Sequence, residues 1–253
     1  MKKNKNRIIY LLVIMIVILL TIGIVSYIKF ENSKSNDRYQ ILDIDSEMVK
    51  DLFYLTKGRS GNNLFLGSEY ENLYYKNEKI DLNEMDENFK RVLAYYNLDR
   101  NSFKYQDNLI IINAEEIKKQ YINIFGTSDD YVDGTIYCFS TITYDSENNQ
   151  YVISGGKGGE ILTGYQNKII EARQYKDKVE IYEKVLFYRR NASYLISNVY
   201  SDSKYSNKLD IEIIEPNYVL ENHSDLLDTY KYTFVKNGND YIFNKVEKVM
   251  EDK

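Results

Sequence analysis

From Ile8 to Ile28 the chain runs 21 residues without a charge. At about 1.5 Å of rise per residue this makes a helix of about 32 Å, enough to cross a hydrocarbon core of about 30 Å. Lys2, Lys3, Lys5 and Arg7 precede the run with no acidic residue among them, so the positive-inside rule leaves the N-terminus in the cytoplasm and sends the remainder outside. Tyr10 and Tyr27 stand near the two ends, where aromatic rings favour the headgroup region. A cleaved signal peptide has an apolar region of about 7 to 15 residues and a small-x-small cleavage site. Here the run is longer and Ile24-Val25-Ser26 is a poor site, so an uncleaved anchor is expected. No Cys follows the run at a lipidation position.

Beyond the anchor the pattern is amphipathic. Glu31 to Gln40 is polar and reads as the start of a stalk spanning residues 31–42. A first helix is expected from Asp45 or Ser46, because Met48, Val49, Leu52, Phe53 and Leu55 recur at helical spacing and Gly58 offers a stop. Met85, Phe89, Val92, Leu93 and Tyr96 make a second stripe. A third begins at Asn113, whose capping position before Ala114-Glu115-Glu116 is followed by Ile117, Tyr121, Ile124 and Phe125 and closed by Gly126. From Tyr131 the pattern changes to short runs rich in Ile, Val, Thr, Tyr and Phe between turn clusters such as Asp145-Ser-Glu-Asn-Asn. Val179, Ile181, Val185 and Phe187 alternate, and Lys176-Asp177 connects them to the preceding run, so two long paired strands are expected. A short helix is expected around Asn217 to Leu227, after Pro216. If Asn237-Gly238 is a two-residue turn, Phe234 pairs with Tyr241 and Tyr232 with Phe243.

The elements therefore predict an α+β protein: residues 1–30 tip and anchor, 31–42 stalk, and one extracytoplasmic domain over 43–253, helical over 43–126 and mainly strands over 131–250. Ile, Lys, Asn and Tyr make up 106 of the 253 residues, a composition read from A/T-rich codons and typical of a low-GC bacterium. Cys138 is the single cysteine, so no disulfide forms within the chain. Without residues 1–30 there are 28 basic against 38 acidic residues, a charge of −10. Such a surface repels nucleic acid and anionic lipid, and no nucleic-acid partner is expected.

Candidate chemistry is sparse. Ser154-Gly-Gly-Lys157 has the Ser-x-x-Lys spacing of penicillin-binding proteins, but the companion Lys-Thr-Gly element is absent. Gly155, Gly156, Lys157, Gly158 and Gly159 form a glycine-rich segment whose backbone N–H groups suit an anion, such as a wall-polymer group or a peptide carboxylate. This is the candidate ligand-binding segment, although Gly158 stands where a P-loop requires Ser or Thr. His223 is the only histidine and has the neighbours of an exposed helix end. Asp129, Asp133 and Gly134 resemble part of a calcium loop that fails at Tyr131 and Ser140. Glu115 and Glu116 suit a helix N-terminus. Cys138 is expected to be a small buried hydrophobe. No catalytic residue, metal site or cofactor is assigned. The abundance of tyrosine, 26 residues, favours binding surfaces.

The anchor, Ile124-Phe125-Gly126, Thr143-Tyr144-Asp145, the Gly155–Gly159 segment and the terminal Tyr-x-Tyr-x-Phe hairpin together resemble uncharacterised single-span membrane-anchored proteins of low-GC Gram-positive and mollicute-type bacteria. The resemblance covers most of the ectodomain and implies the anchor and its topology, but no catalytic residue. The order of helices then sheet is similar to the cystatin-like or nuclear-transport-factor-like cone, in which helices pack on a curved antiparallel sheet. The expected function is a membrane-anchored extracytoplasmic domain that binds a protein or cell-envelope partner. The alternatives are a cell-envelope hydrolase and a bitopic assembly subunit of a secretion or conjugation machine.

Overall fold

The computed structural model describes residues 38–57, 74–75, 79–138, 141–154, 163–191, 193 and 195–250. The expected anchor, residues 8–28, and the Gly155–Gly159 segment lie outside them. Among the described residues no helix is long and apolar enough to cross a membrane. The chain divides into a small unit, residues 1–40 with 175–177, and a large one made of 41–174 and 178–253. In the small unit the Tyr39 and Tyr175 rings lie 5.4 Å apart.

The large unit is α+β. Its helices are α1 (Glu47–Lys57), α2 (Glu87–Tyr96), α3 (Ala114–Phe125) and α4 (Pro216–Asn222). The last three begin where their caps dictate. Asp86 accepts the Phe89 N–H at 2.8 Å, Asn113 accepts that of Glu115 at 2.9 Å, and Glu215 accepts that of Tyr218 at 3.1 Å ahead of Pro216. Gly126 ends α3 in the left-handed region at φ 80°. A Cβ there would lie 2.9 Å from Ile242 Cδ1 and 3.0 Å from Asn237 Nδ2. Gly126→Ala is therefore expected to cost about 1–3 kcal/mol, combining a positive φ with a close approach. The urea midpoint should fall at unchanged slope; an unchanged midpoint would contradict this.

The strands of the large unit include β1 (Lys79–Asp81), β2 (Phe103–Gln106), β3 (Leu109–Asn113), β4 (Ile136–Tyr137), β5 (Thr141–Asp145), β6 (Gln150–Ile153), β7 (Thr163–Gln174), β8 (Lys178–Arg190), β9 (Ile196–Tyr200), β10 (Asp228–Asn237) and β11 (Asp240–Val249). They form two antiparallel sheets. One runs β7-β8-β10-β11-β1, with β9 also paired to β8. The other runs β2-β3-β6-β5-β4. Leu42 extends the outer edge of the first by donating its N–H to the Ala172 carbonyl at 2.9 Å. The long β7–β8 hairpin has the expected turn, but β1, β2 and β3 lie inside the stretch 79–113, where the hydrophobic stripes predict helices alone. The division into a helical and a stranded half is thus not clean.

Two turns explain much of the register. Asn237 pairs with Asp240, so the turn residues of the last hairpin are Gly238 and Asn239, one place beyond the expected Asn237-Gly238. Gly238, at φ 64°, supplies the left-handed first position of such a turn. Phe234 then faces Phe243, and a bulge after Thr233 sets Tyr232 opposite Val246. In the β2–β3 hairpin Asp107 and Asn108 both have positive φ, 49° and 64°, the signature of a primed two-residue turn built without glycine.

Strand alternation puts Val179, Ile181, Glu183, Val185 and Phe187 of β8 on one face with Tyr230, Tyr232 and Phe234 of β10. That face meets the helices: Phe53 of α1 lies 5.6 Å from the Tyr232 ring, and Tyr74 lies 5.4 Å from Phe89 of α2 and 6.2 Å from Phe243. The opposite face carries ion pairs such as Lys231–Glu247 at 2.6 Å and Lys178–Glu180 at 2.7 Å. At its other end a smaller apolar cluster, including Leu186, Val199, Val219 and Leu227, is formed under the excursion from β9 to α4. The second sheet gives Ile112, Ile142, Tyr151 and Ile153 to the main core.

Candidate functional site

At the centre of the main core stands a charged pair. Val49, Phe53 and Lys57 follow one another at four-residue spacing along α1, so the stripe that buries the first two also drives Lys57 inward. Asn97, at the end of α2, fixes that end of the helix by donating to the carbonyls of Leu55, at 3.1 Å, and Leu93, at 2.9 Å. From the sheet, Glu183 occupies an inward position of β8. The two side chains are 5% and 0% exposed and meet with Lys57 Nζ 3.2 Å from Glu183 Oε1.

A charge removed from water at such depth requires its full complement of partners. Glu183 Oε1 accepts the Tyr75 hydroxyl at 2.9 Å and the Tyr232 hydroxyl at 2.5 Å, and Oε2 accepts the Asn167 amide at 2.6 Å. Lys57 donates to the hydroxyls of Tyr75 and of Tyr232, the latter at 2.8 Å. Among the described residues five rings surround the ammonium: Tyr75 at 4.6 Å, Tyr232 at 5.0 Å, and Phe53, Tyr74 and Tyr165 each at 5.5 Å to the centroid. Tyr75 and Tyr232 present their hydroxyl oxygens to the cation and the other rings their electron density, in a place where desolvation strengthens the attraction. Burial, reinforced by the Glu183 carboxylate, pushes the Tyr75 and Tyr232 hydroxyls well above their usual range. Both stay neutral donors wherever the fold survives.

A second polar cluster lies where the calcium-like residues were read. Asp133 accepts the hydroxyls of Tyr131, at 2.8 Å, and Tyr151, at 3.0 Å. Burial pushes Tyr151 up to about 12 and raises Tyr131 still further. Tyr131 is thus a donor to Asp133, whereas the third position of a calcium loop supplies an oxygen ligand to the ion. Among the described residues no group of three potential metal ligands converges.

The other residues singled out in the sequence do not come together. Ser154 is exposed at the end of β6, and Lys157 lies with Gly155–Gly159 outside the described residues. His223 is half-buried at the end of α4, its ring 5.8 Å from Tyr218. Cys138 is half-buried rather than buried, packed against the main core beside the edge of β4. Glu115 and Glu116 occupy the first turn of α3. Two adjoining open depressions flank the β10–β11 turn. One of about 400 Å³ touches Lys118, Ile122 and Gly126 of the α3 segment; the other, of about 340 Å³, touches Met48 and Leu52 of α1.

The interior pair had a sequence signal. Glu183 interrupts the alternation of Val179, Ile181, Val185 and Phe187 at an inward position, and Lys57 continues the Val49–Phe53 stripe. A charge in each of two apolar patterns calls for a buried partner. No protein-family model, curated protein or solved structure matches the chain.

Proposed function

We propose that the chain is a membrane-anchored extracytoplasmic recognition domain that binds a protein or cell-envelope partner through its surface. What carries this reading is the enclosure of Lys57 and Glu183. A small-molecule site is a concave space lined by apolar side chains with a few convergent polar groups, and the space between a sheet and its helices is one place for it. Here the corresponding space is filled by tyrosine rings around an ion pair whose donors and acceptors are satisfied by each other. This buried ion pair is thereby committed to the fold. The reading of residues 8–28 as anchor rests on their length and basic flank, and the acidic ectodomain agrees with a partner other than nucleic acid.

The hydrolase alternative requires a nucleophile and base in one cleft, and Ser154 and His223 belong to different elements, β6 and the end of α4. The test is genetic complementation of a strain lacking the chromosomal copy. Ser154→Ala, Lys157→Ala and His223→Ala are each expected to complement fully. A hydrolase would lose at least about 100-fold in rate on removal of its nucleophile or base, so a folded, membrane-resident variant that fails to complement would overturn the reading. Location is tested separately. Protease added to protoplasts should digest the region beyond residue 43 from a full-length, membrane-bound chain; a protected C-terminus or a chain released to the medium would contradict the anchor.

A further inference from the structure

The two edges of the β2-β3-β6-β5-β4 sheet are treated differently by the surrounding chain. At the β4 edge the Asn88 side chain of α2 behaves as a fragment of neighbouring strand. Its amide donates to the Tyr137 carbonyl at 2.9 Å and its oxygen accepts the Tyr137 N–H at 2.8 Å. That edge is closed. At the other end, among the described residues, no strand pairs the outer side of β2, and Lys104, Tyr105 and Gln106 are exposed, Tyr105 to 74%.

The primed turn at Asp107-Asn108 determines which groups this edge offers. In a hairpin closed by two residues the pair flanking the turn is hydrogen-bonded, and bonded pairs alternate with non-bonded ones. Gln106 with Leu109 and Lys104 with Ile111 therefore spend their backbone bonds inside the hairpin, whereas Phe103 and Tyr105 point N–H and C=O outward. The face these two share also bears an aromatic shelf: the Phe103 ring lies 6.2 Å from Tyr95, itself 5.1 Å from Tyr96, and all three are half-buried. Lys104 projects from the opposite face, midway between the two outward backbone positions.

We propose that the outer edge of β2 is a strand-addition site for an extended peptide in which an acidic residue is flanked by apolar ones. The proposal rests on the recognition reading above and names its surface and ligand class. An antiparallel strand that bonds to Phe103 and Tyr105 puts its central residue opposite Lys104 at a non-bonded pair, where side chains approach most closely. Opposite charge is favoured there, and the two flanking residues fall over the aromatic shelf. A second copy of the chain is disfavoured as occupant, because the two-fold register that uses both outward positions of each β2, Phe103 against Tyr105, sets Lys104 against Lys104. Backbone bonds supply affinity and the alternate side chains supply selection, as in other strand-addition sites.

The test uses the full-length chain in detergent and fluorescein-labelled acetyl-Thr-Val-Glu-Val-Thr-amide, read by fluorescence anisotropy. The peptide is expected to bind saturably, and its counterpart with Lys in place of Glu at least about tenfold more weakly. Lys104→Glu, an exposed change, should reverse that order. The Glu peptide carrying N-methyl groups on both valines should lose binding, since it cannot complete the ladder. Binding of neither peptide, no reversal with Lys104→Glu, or undiminished binding of the N-methylated peptide would overturn the proposal. Failure here leaves the complementation outcome untouched, so the site and the recognition reading are refuted by different results.

Discussion

Glu183→Gln is expected to destabilise the folded chain by about 3–5 kcal/mol, because it leaves the Lys57 ammonium buried without its anion. The substitution keeps nearly the same shape, and the Tyr75 and Tyr232 hydroxyls retain an oxygen to donate to. What it removes is the charge that Lys57 faces at 3.2 Å, at a site where Glu183 has no exposed surface. The surrounding rings are present with and without the substitution, so they do not replace the lost anion. A second substitution makes the prediction specific. Adding Lys57→Met to Glu183→Gln takes away the stranded charge, so the double variant should be more stable than Glu183→Gln alone by at least about 2 kcal/mol. Urea unfolding followed by tyrosine near-ultraviolet circular dichroism measures both. A double variant less stable than either single would show that the two side chains do not act as a pair.

The second large effect is at Phe234, where truncation to Ala should cost about 3–5 kcal/mol. The side chain is fully buried, its ring 5.7 Å from that of Phe243, directly across the β10–β11 ladder. The cavity would open in the main core beside Phe243, whose ring also lies 6.4 Å from that of Tyr232. The same unfolding experiment applies, and a cost under about 1 kcal/mol would show that the ring is not part of the core wall.

Helix starts and stops were the most legible part of the sequence. The Asn113 cap and the Gly126 stop act through local hydrogen bonds and a positive φ, both of which depend on a few adjacent residues. The β7–β8 hairpin was legible for a similar reason, an alternating pattern on either side of a short polar turn. The last hairpin shows where local reading stops. An Asn-Gly pair usually fills both central turn positions, yet here Asn237 closes the ladder opposite Asp240, and only Gly238 takes the left-handed place. That displacement alone turns the expected Phe234–Tyr241 pair into the observed Phe234–Phe243 pair, and the bulge between Thr233 and Phe234 then shifts the register again, setting Tyr232 opposite Val246 in place of the expected Phe243. The β2–β3 hairpin was missed because Asp107-Asn108 achieves two positive φ values without glycine, relying on the tolerance of Asp and Asn for that region.

The interior cluster was half legible. Glu183 and Lys57 each break an apolar period, but their meeting depends on the end of α1 reaching β8 across the core, and the contributions of Tyr75 and Asn167 depend on tertiary packing that no local pattern encodes. The same holds for the open edge of β2. Its strand sequence resembles many polar loops, and its exposure follows from the order of the second sheet rather than from its four residues.

The enclosure of Lys57 is the claim on which the functional account depends, and nuclear magnetic resonance of the full-length chain carrying ¹³C at lysine Cε tests it directly. Of the 25 lysines, one should show ε-methylene protons shifted upfield by the rings around it, and ammonium protons that exchange slowly with water. That resonance should vanish in Lys57→Met and move in Glu183→Gln. Twenty-five lysine signals clustered at the positions of solvated side chains, with no resonance lost upfield in Lys57→Met, would mean that the ammonium is in water and that the space between sheet and helices is open to a ligand.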